Sequence, residues 1–382
     1  MIRLRGMTWK HDRGLAPMSA TAKEFAASHP GVAIEWEARS LSEFGEAPIA
    51  GLAGQYDLVV LDHPYMGDLA RSRAFLPLDE QLSPGQLQRF AADSVGPSYA
   101  SYSMEDHQWA LAIDASAQVA GYRPDLLERG GVKVPVTWDD VFAMAAIRPG
   151  FVSLPLFPLD ALLAFFSLCA NAGDPPFQTG ESVVARDTGE LALEKLRRLK
   201  SSSVAEATLQ NPIAVWEEMS RTDRIAYCPL AFGYSNYARP GYRGRRLAFA
   251  PMPSAGHGPV GATLGGAGLA ISANCLHREI ALEYATLVAG ADCQSNLYVE
   301  SGGQPASRAA WTSDNANVLT GGYFVTLLPT LDHAWLRPRH AGFGPYQNLA
   351  AEVISRFLNG KATAREALAE LDRVPRHRPA KQ

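Results

Sequence analysis

Residues 2–37 read IRLRGMTWKHDRGLAPMSATAKEFAASHPGVAIEWE, and three patterns follow one another in them. The opening residues, up to Gly6, are strand-like. Leu15, Met18, Ala22, Phe25 and Ala26 then recur on one face of a helix. His29-Pro30-Gly31 stops that helix, and Val32 to Glu37 alternates like a half-exposed strand. Such a series reads as a β-α-β unit, and its crossover should be right-handed. The turn between strand and helix is crowded: Trp9, His11, Asp12 and Arg13 lie within five residues. In open α/β sheets the carboxyl ends of strands are where ligands bind.

Further along, Leu58-Val59-Val60-Leu61 is a continuous apolar run, as in a strand covered on both faces. Trp109 to Asp114 reads as another strand. Thr137 and Asp140 have capping-box spacing ahead of a helix. Ala161 to Ala172 is apolar all round and reads as a buried helix, with Leu162, Phe166 and Cys169 in the core. Glycine-rich strands occupy 260–272. A helix with Ile280, Tyr284, Leu287 and Val288 on one face follows, then helices at 349–358, ended by Gly360, and after Thr363.

With 382 residues the chain exceeds one ordinary hydrophobic core, so two domains are expected. It is 47% hydrophobic and 19% charged, with a formal net charge of −4, which gives no general attraction to nucleic acid or anionic lipid. No stretch reaches the length of a membrane span. The basic tail from Arg373 to Lys381 is broken by proline and reads as a loose end. The four cysteines, Cys169, Cys228, Cys275 and Cys293, form no C-x-x-C pair, and their spacing indicates no disulfide. Nucleophile-elbow, P-loop and His-x-x-x-His patterns are absent, so no catalytic residue is assigned. His11, His63 and Asp62 could meet, but their spacing does not define a metal site. No cofactor or metal is expected.

Nine pieces taken together resemble a family. They are SHPGVAIEWE (28–37), YDLVVLDHPYMGDLARSRAFLPLDEQL (56–82), ALAIDASAQVAGYRPDLLERGGVKVPVTWDDVFAMA (110–145), RIAYCPLAFGYSNYA (224–238), LAFAPMPS (247–254), LGGAGLAIS (264–272), REIALEYATLVAG (278–290), ESGGQPASRAAW (300–311) and FLNGKATAREALAEL (357–371). Their order is similar to that of the carbohydrate-type extracellular solute-binding proteins of ABC importers. The resemblance implies a type II periplasmic-binding-protein-like α/β fold of two lobes, each a mixed sheet flanked by helices, with a ligand cleft between. It places 1–113 with 257–308 in one lobe and 114–256 with 309–382 in the other. Hinge crossings are expected near 113–115, 252–259 and 305–313.

On this reading Trp9 offers a flat face to a sugar ring, and His11 and Arg13 offer polar tips. Asp62, His63 and Tyr65 stand at the equivalent end of the Leu58–Leu61 strand. Asp62 could equally cap a helix, and Trp9 could equally pack inside a lobe. Asp114 ends the strand feeding the first crossing. Phe232, Tyr234 and Tyr237 stand where the family carries a stacking aromatic, although the tryptophan of that pattern is missing. Gly266 would let backbone approach a ligand, and Arg339 would pair with an acidic group. The resemblance implies a monomeric, non-catalytic protein that delivers a small polar solute, most simply a sugar, to ABC importer permease subunits. It implies a periplasmic location if a leader has been removed. If Met1 is the native start, the competing expectation is a cytoplasmic binding or sensor protein for an organic or aromatic acid.

Overall fold

The computed structural model describes residues 1–40, 49–178, 180 and 182–375, so the tail beyond 375 lies outside the described residues. Its principal strands are β1 (Ile2–Trp9), β2 (Val32–Arg39), β3 (Leu58–Leu61), β4 (Leu111–Tyr122), β5 (Tyr227–Phe232), β6 (Ala248–Ala250) and β7 (Leu264–Ile271). The helices that position the site are α1 (Asp12–Ser28), α2 (Met66–Ser72), α3 (Trp138–Ala145), α4 (Pro158–Asn171), α5 (Arg278–Ala289) and α6 (Phe343–Leu358).

The seven strands form one hydrogen-bonded path, β2-β1-β3-β7-β4-β5, with β6 also paired to β4. β1 pairs in parallel with β2 and β3, while β7 runs antiparallel to β3 and to β4. β4 is the element that unites the molecule. Its first half, Leu111 to Ala117, pairs with β7, and its second half, Gln118 to Tyr122, pairs with β5 and β6. The strand expected to end at Asp114 therefore runs on to Tyr122. Gly121 and Tyr122 bond to β5 across the second half, which keeps the chain extended past the crossing. A register shift between Ala112 and Asp114 interrupts the pairing with β7, and the partners change between Ala117 and Gln118.

Side-chain alternation divides the core. Leu58 and Val60 enter one buried cluster with Leu4, Met18, Phe25 and Tyr284, beneath α1 and α5. Val59 and Leu61 enter another with Met7, Met66 and Leu69, beneath α2. These two clusters cover opposite faces of the β1–β3–β7 region. A third and larger cluster gathers β5, α3, α4 and α6, including Phe166, Trp216, Tyr227, Trp311, Phe343 and Ile354. The result is a two-lobed α/β molecule. The four cysteines are free thiols. Among the described residues no helix is long and apolar enough to cross a membrane.

Local signals were placed well. The helix α1 ends at Ser28 with His29 as its C-cap, and Gly31 follows at φ 92°. At the start of α3, Thr137 Oγ1 accepts from the Asp140 N–H at 3.2 Å, and Asp140 Oδ2 accepts from the Thr137 N–H at 2.8 Å. Replacing Thr137 by alanine should lower stability by about 1 kcal/mol, read as a shift in urea midpoint. The helix α6, expected from 349, begins six residues earlier at Phe343, and Gly342 at φ 84° supplies the turn into it.

Candidate functional site

The crowded first turn is a working joint. His11 is the N-cap of α1, and its Nδ1 accepts the Arg13 backbone N–H at 3.0 Å. That bond places the ring proton on Nε2. Burial, then the neighbouring Arg13, pull the His11 pKa down to about 4, so the ring is neutral near pH 7. The next residue but one, Arg13, turns its guanidinium inward. Its Nε donates to Asp114 Oδ2 at 2.8 Å, its Nη2 to Asp114 Oδ1, and its Nη1 to the Gly233 carbonyl at 2.8 Å. Arg13 is 4% exposed and Asp114 is 1% exposed. Burial pushes the Asp114 carboxyl above its ordinary range, against the opposing pull of the two Arg13 donors.

The Gly233 carbonyl lies in the turn after β5 and also accepts from Ser116 Oγ at 3.1 Å and Gln304 Nε2 at 3.3 Å. Tyr234 follows, with its ring 4.5 Å from the Arg13 guanidinium carbon and edge-on to His11 at 4.8 Å between centroids. Burial raises the Tyr234 hydroxyl to about 12. Tyr237 lies 6.2 Å from the His11 ring and donates its hydroxyl to Glu217 at 3.0 Å. Arg13, His11, Asp114, Tyr234 and Tyr237 are thus brought together.

A second cluster stands at the end of β3. Asp62 caps the short turn His63–Tyr65 by accepting the His63 N–H at 2.8 Å. The same carboxylate takes Arg337 Nη2 on both oxygens, at 3.0 and 3.2 Å. Burial alone would raise Asp62, but Arg337 and then His63 hold its carboxyl below the usual carboxylate range. His63 is fully buried; burial, then Arg337, lower its pKa to about 4. The Tyr102 ring lies edge-on to His63 at 6.4 Å. Burial raises the Tyr102 hydroxyl, and the charges of Asp62 and Asp114 push in the same direction.

Three expected residues are placed differently. Trp9 is 5% exposed and packs in the core under α1, where a Cβ on Gly14 would come within 2.5 Å of its indole. It is a core residue, because the absence of a side chain at Gly14 makes a bed for the ring. Arg339 sends its guanidinium to the carbonyls of Ala100 and, at 2.7 Å, Ser103, so it ties backbone instead of facing an acidic group. Gly266, at φ 114°, lies against Asp114 and Ala115 of β4, and its role is this close strand approach. Phe232 lies on Gly265, whose added Cβ would stand 2.6 Å from the ring. Tyr65 lies over Gly344, whose Cβ would stand 2.7 Å from its ring. Among the described residues no group of three or more His, Cys, Asp or Glu is arranged to hold a metal ion.

Residues 9–294 match the bacterial extracellular solute-binding protein family. The chain belongs to that family. The architecture of this solute-binding protein is shared widely. Maltose-bound MalE3 of T. maritima superposes with a TM-score of 0.82 at 18% identity, over 98% of each chain. A solute-binding protein of an ABC transporter from Agrobacterium vitis S4, with bound D-mannitol, gives 0.78 at 16% identity, over 98% of this chain and 97% of that one. The mannitol-binding protein of Pseudomonas aeruginosa is 30% identical over 135 residues, which is 34% of this chain and 30% of that protein's length. The type II two-lobed fold is therefore the fold of this solute-binding protein.

Sequence reading passed over four residues that the fold brings to the site. Arg337 stands two residues from the expected Arg339 and makes the contact with Asp62. Tyr102 stands edge-on to His63. Gln304 Nε2 donates to Ala115 O at 2.8 Å, and its Oε1 accepts the Ser235 N–H at 2.8 Å. Asp160, in the first turn of α4, has its carboxyl pushed up to about 8 by burial. No local pattern distinguishes these from ordinary loop or helix-start residues.

Proposed function

We propose that this solute-binding protein captures a neutral polyhydroxyl solute, a sugar or a polyol, between its lobes and hands it to an ABC importer without chemical change. The observation that carries this reading is the charge balance of the site. Arg13 is held by Asp114 and Arg337 by Asp62, and both histidines are neutral near pH 7. An anion would have to break a buried pair to find a counter-charge, whereas a hydroxyl can give and take hydrogen bonds at the rims of these pairs. The polyol and sugar named for the relatives from Agrobacterium vitis, Pseudomonas aeruginosa and T. maritima support the same class. The lobes are 1–113 with 257–308 and 114–256 with 309–382, turning about the three crossings. The protein works outside the cytoplasmic membrane, in keeping with the extracellular description of its family.

The test is a thermal-shift screen of D-mannitol, ribitol, maltose and a panel of organic and aromatic acids. A solute present at about 100 times its dissociation constant adds roughly 2.7 kcal/mol of stability. Stabilisation by a polyol or sugar is expected. Stabilisation by the acids alone would overturn the proposal.

A further inference from the structure

We infer, building on the two-lobed reading, that the first and third crossings move as one ligament and that Gln294 is the positioning residue that fastens them. β4 carries a bulge where it enters the first crossing. Ala112 faces Gly268 and Asp114 faces Ala267, so Ile113 is an extra residue with no partner on β7. Ile113 is fully buried, and a buried backbone carbonyl at a break in the ladder takes its hydrogen bond from elsewhere. Gln294, itself fully buried, supplies it. Its Nε2 donates to the Ile113 carbonyl at 2.9 Å and to the Val288 carbonyl, in the last turn of α5, at 3.0 Å. Its Oε1 accepts the Ala306 N–H at 2.7 Å and the Ser307 N–H at 3.2 Å, both in the third crossing. Two N–H donors meet two carbonyls, and two lone pairs meet two N–H groups. The carboxamide is used in full, and one orientation alone fits. Gln294 also opens a π-helical turn, Gln294–Tyr298, a rare form that recurs at functional sites.

Gln304 continues the seam. The Ala115 N–H donates to the Gln304 carbonyl at 3.2 Å, and Gln304 Nε2 donates back to the Ala115 carbonyl at 2.8 Å. Gln304 Oε1 accepts the Ser235 N–H, in the turn after β5, at 2.8 Å. Between these bonds Asp114 and Pro305 form an isolated bridge. Residues 113–115 and 304–307 are thus joined along their length, and of these links only Gln294 comes from outside both segments. A hinge works by backbone rotation at a few residues. With the two segments fastened together neither turns without the other, so the lobes swing about one axis. A carboxylate in place of the Gln294 carboxamide would turn an oxygen toward the Ile113 and Val288 carbonyls and release the first segment from the third. A side chain that merely filled the core would affect melting but not the spread of lobe positions.

The test is double electron–electron resonance between nitroxides on encoded keto side chains at Leu191 and Leu276, exposed positions of the second and first lobes, with no solute added. Encoded labels leave the free thiol of Cys293, next to the clamp, untouched. Gln294→Glu keeps the size of the side chain and removes both donors, and Gln294→Met removes every hydrogen bond. Both should broaden the distance distribution between the lobes, with unchanged far-ultraviolet circular dichroism. Amide exchange at Ala306 and Ser307 should quicken by about tenfold in Gln294→Met, the scale of one net hydrogen bond. Folded variants with the wild-type distribution would make Gln294 a packing residue and overturn the inference, whatever the exchange rates. A wild-type distribution already as broad as those of the variants would overturn it too. If neither variant folds, Gln294 serves the core and not the hinge, and the inference falls. Failure of every polyol and sugar to bind would count against the proposed solute class alone, because no solute enters this measurement.

Discussion

Replacing Asp114 by alanine should destabilise the protein by about 3–5 kcal/mol. Arg13 is 4% exposed and makes three hydrogen bonds, two of them to Asp114. Removing the carboxylate leaves the guanidinium with the Gly233 carbonyl, which two other donors already share. A buried cation without its counter-ion bears the full cost of desolvation, while the pair as a whole contributes far less than that cost. The double variant Arg13→Met with Asp114→Leu should accordingly lose much less than Asp114→Ala alone. Urea unfolding followed by circular dichroism measures both. An Asp114→Ala loss below about 1 kcal/mol would show that the charge is hydrated and the pair is not buried as described.

Acid should remove the stabilising contribution of His63 between about pH 6.5 and pH 4. The His63 pKa is lowered from 6.5 to about 4 by burial and then by Arg337. In that window the unfolded chain takes up a proton that the folded ring refuses, so stability is full above pH 6.5 and falls as the pH drops toward 4. For the fully buried His63 ring the loss is on the order of 3 kcal/mol. His11, also lowered to about 4, acts in the same direction. Asp160 opposes them. Its carboxyl is raised to about 8, so its contribution is greatest at low pH and declines as the pH climbs from about 4 to 8. Asp114, raised by burial, and His29, raised by its bond to Glu283, act in the same sense as Asp160, so the histidine contribution is read as the difference between wild type and His63→Phe. Asp62, held below the ordinary carboxylate range, loses its contribution only at still lower pH. Urea midpoints at pH 7 and pH 4.5 test this. His63→Phe should flatten the dependence, and an unchanged dependence would place the titrating group elsewhere.

The core character of Ala161 to Ala172, the continuous run at Leu58–Leu61 and the capping boxes at Thr137 and Thr363 were all readable, because each depends on residues within a turn or two of one another. The order of family pieces along the chain was readable for the same reason. Trp9 illustrates the opposite case. A tryptophan after a strand serves equally well as a ligand platform or a core residue, and the decision fell to Gly14, whose missing side chain makes room for the ring. Arg337 and Arg339 are a second example. Both are cations in one loop, and only the docking of that loop on α2 sends one to Asp62 and the other to backbone carbonyls.

By itself, then, the sequence determined an α/β chain of two lobes, the order of its elements, and the strand ends at which polar side chains gather. The tertiary structure decided which of those side chains meet. Arg13 and Asp114 are 101 residues apart, and Asp62 and Arg337 are 275 apart. Periodicity and capping act over a few residues, whereas the partner of a buried charge is set by how two separately formed bodies pack, and no local pattern along the chain records that.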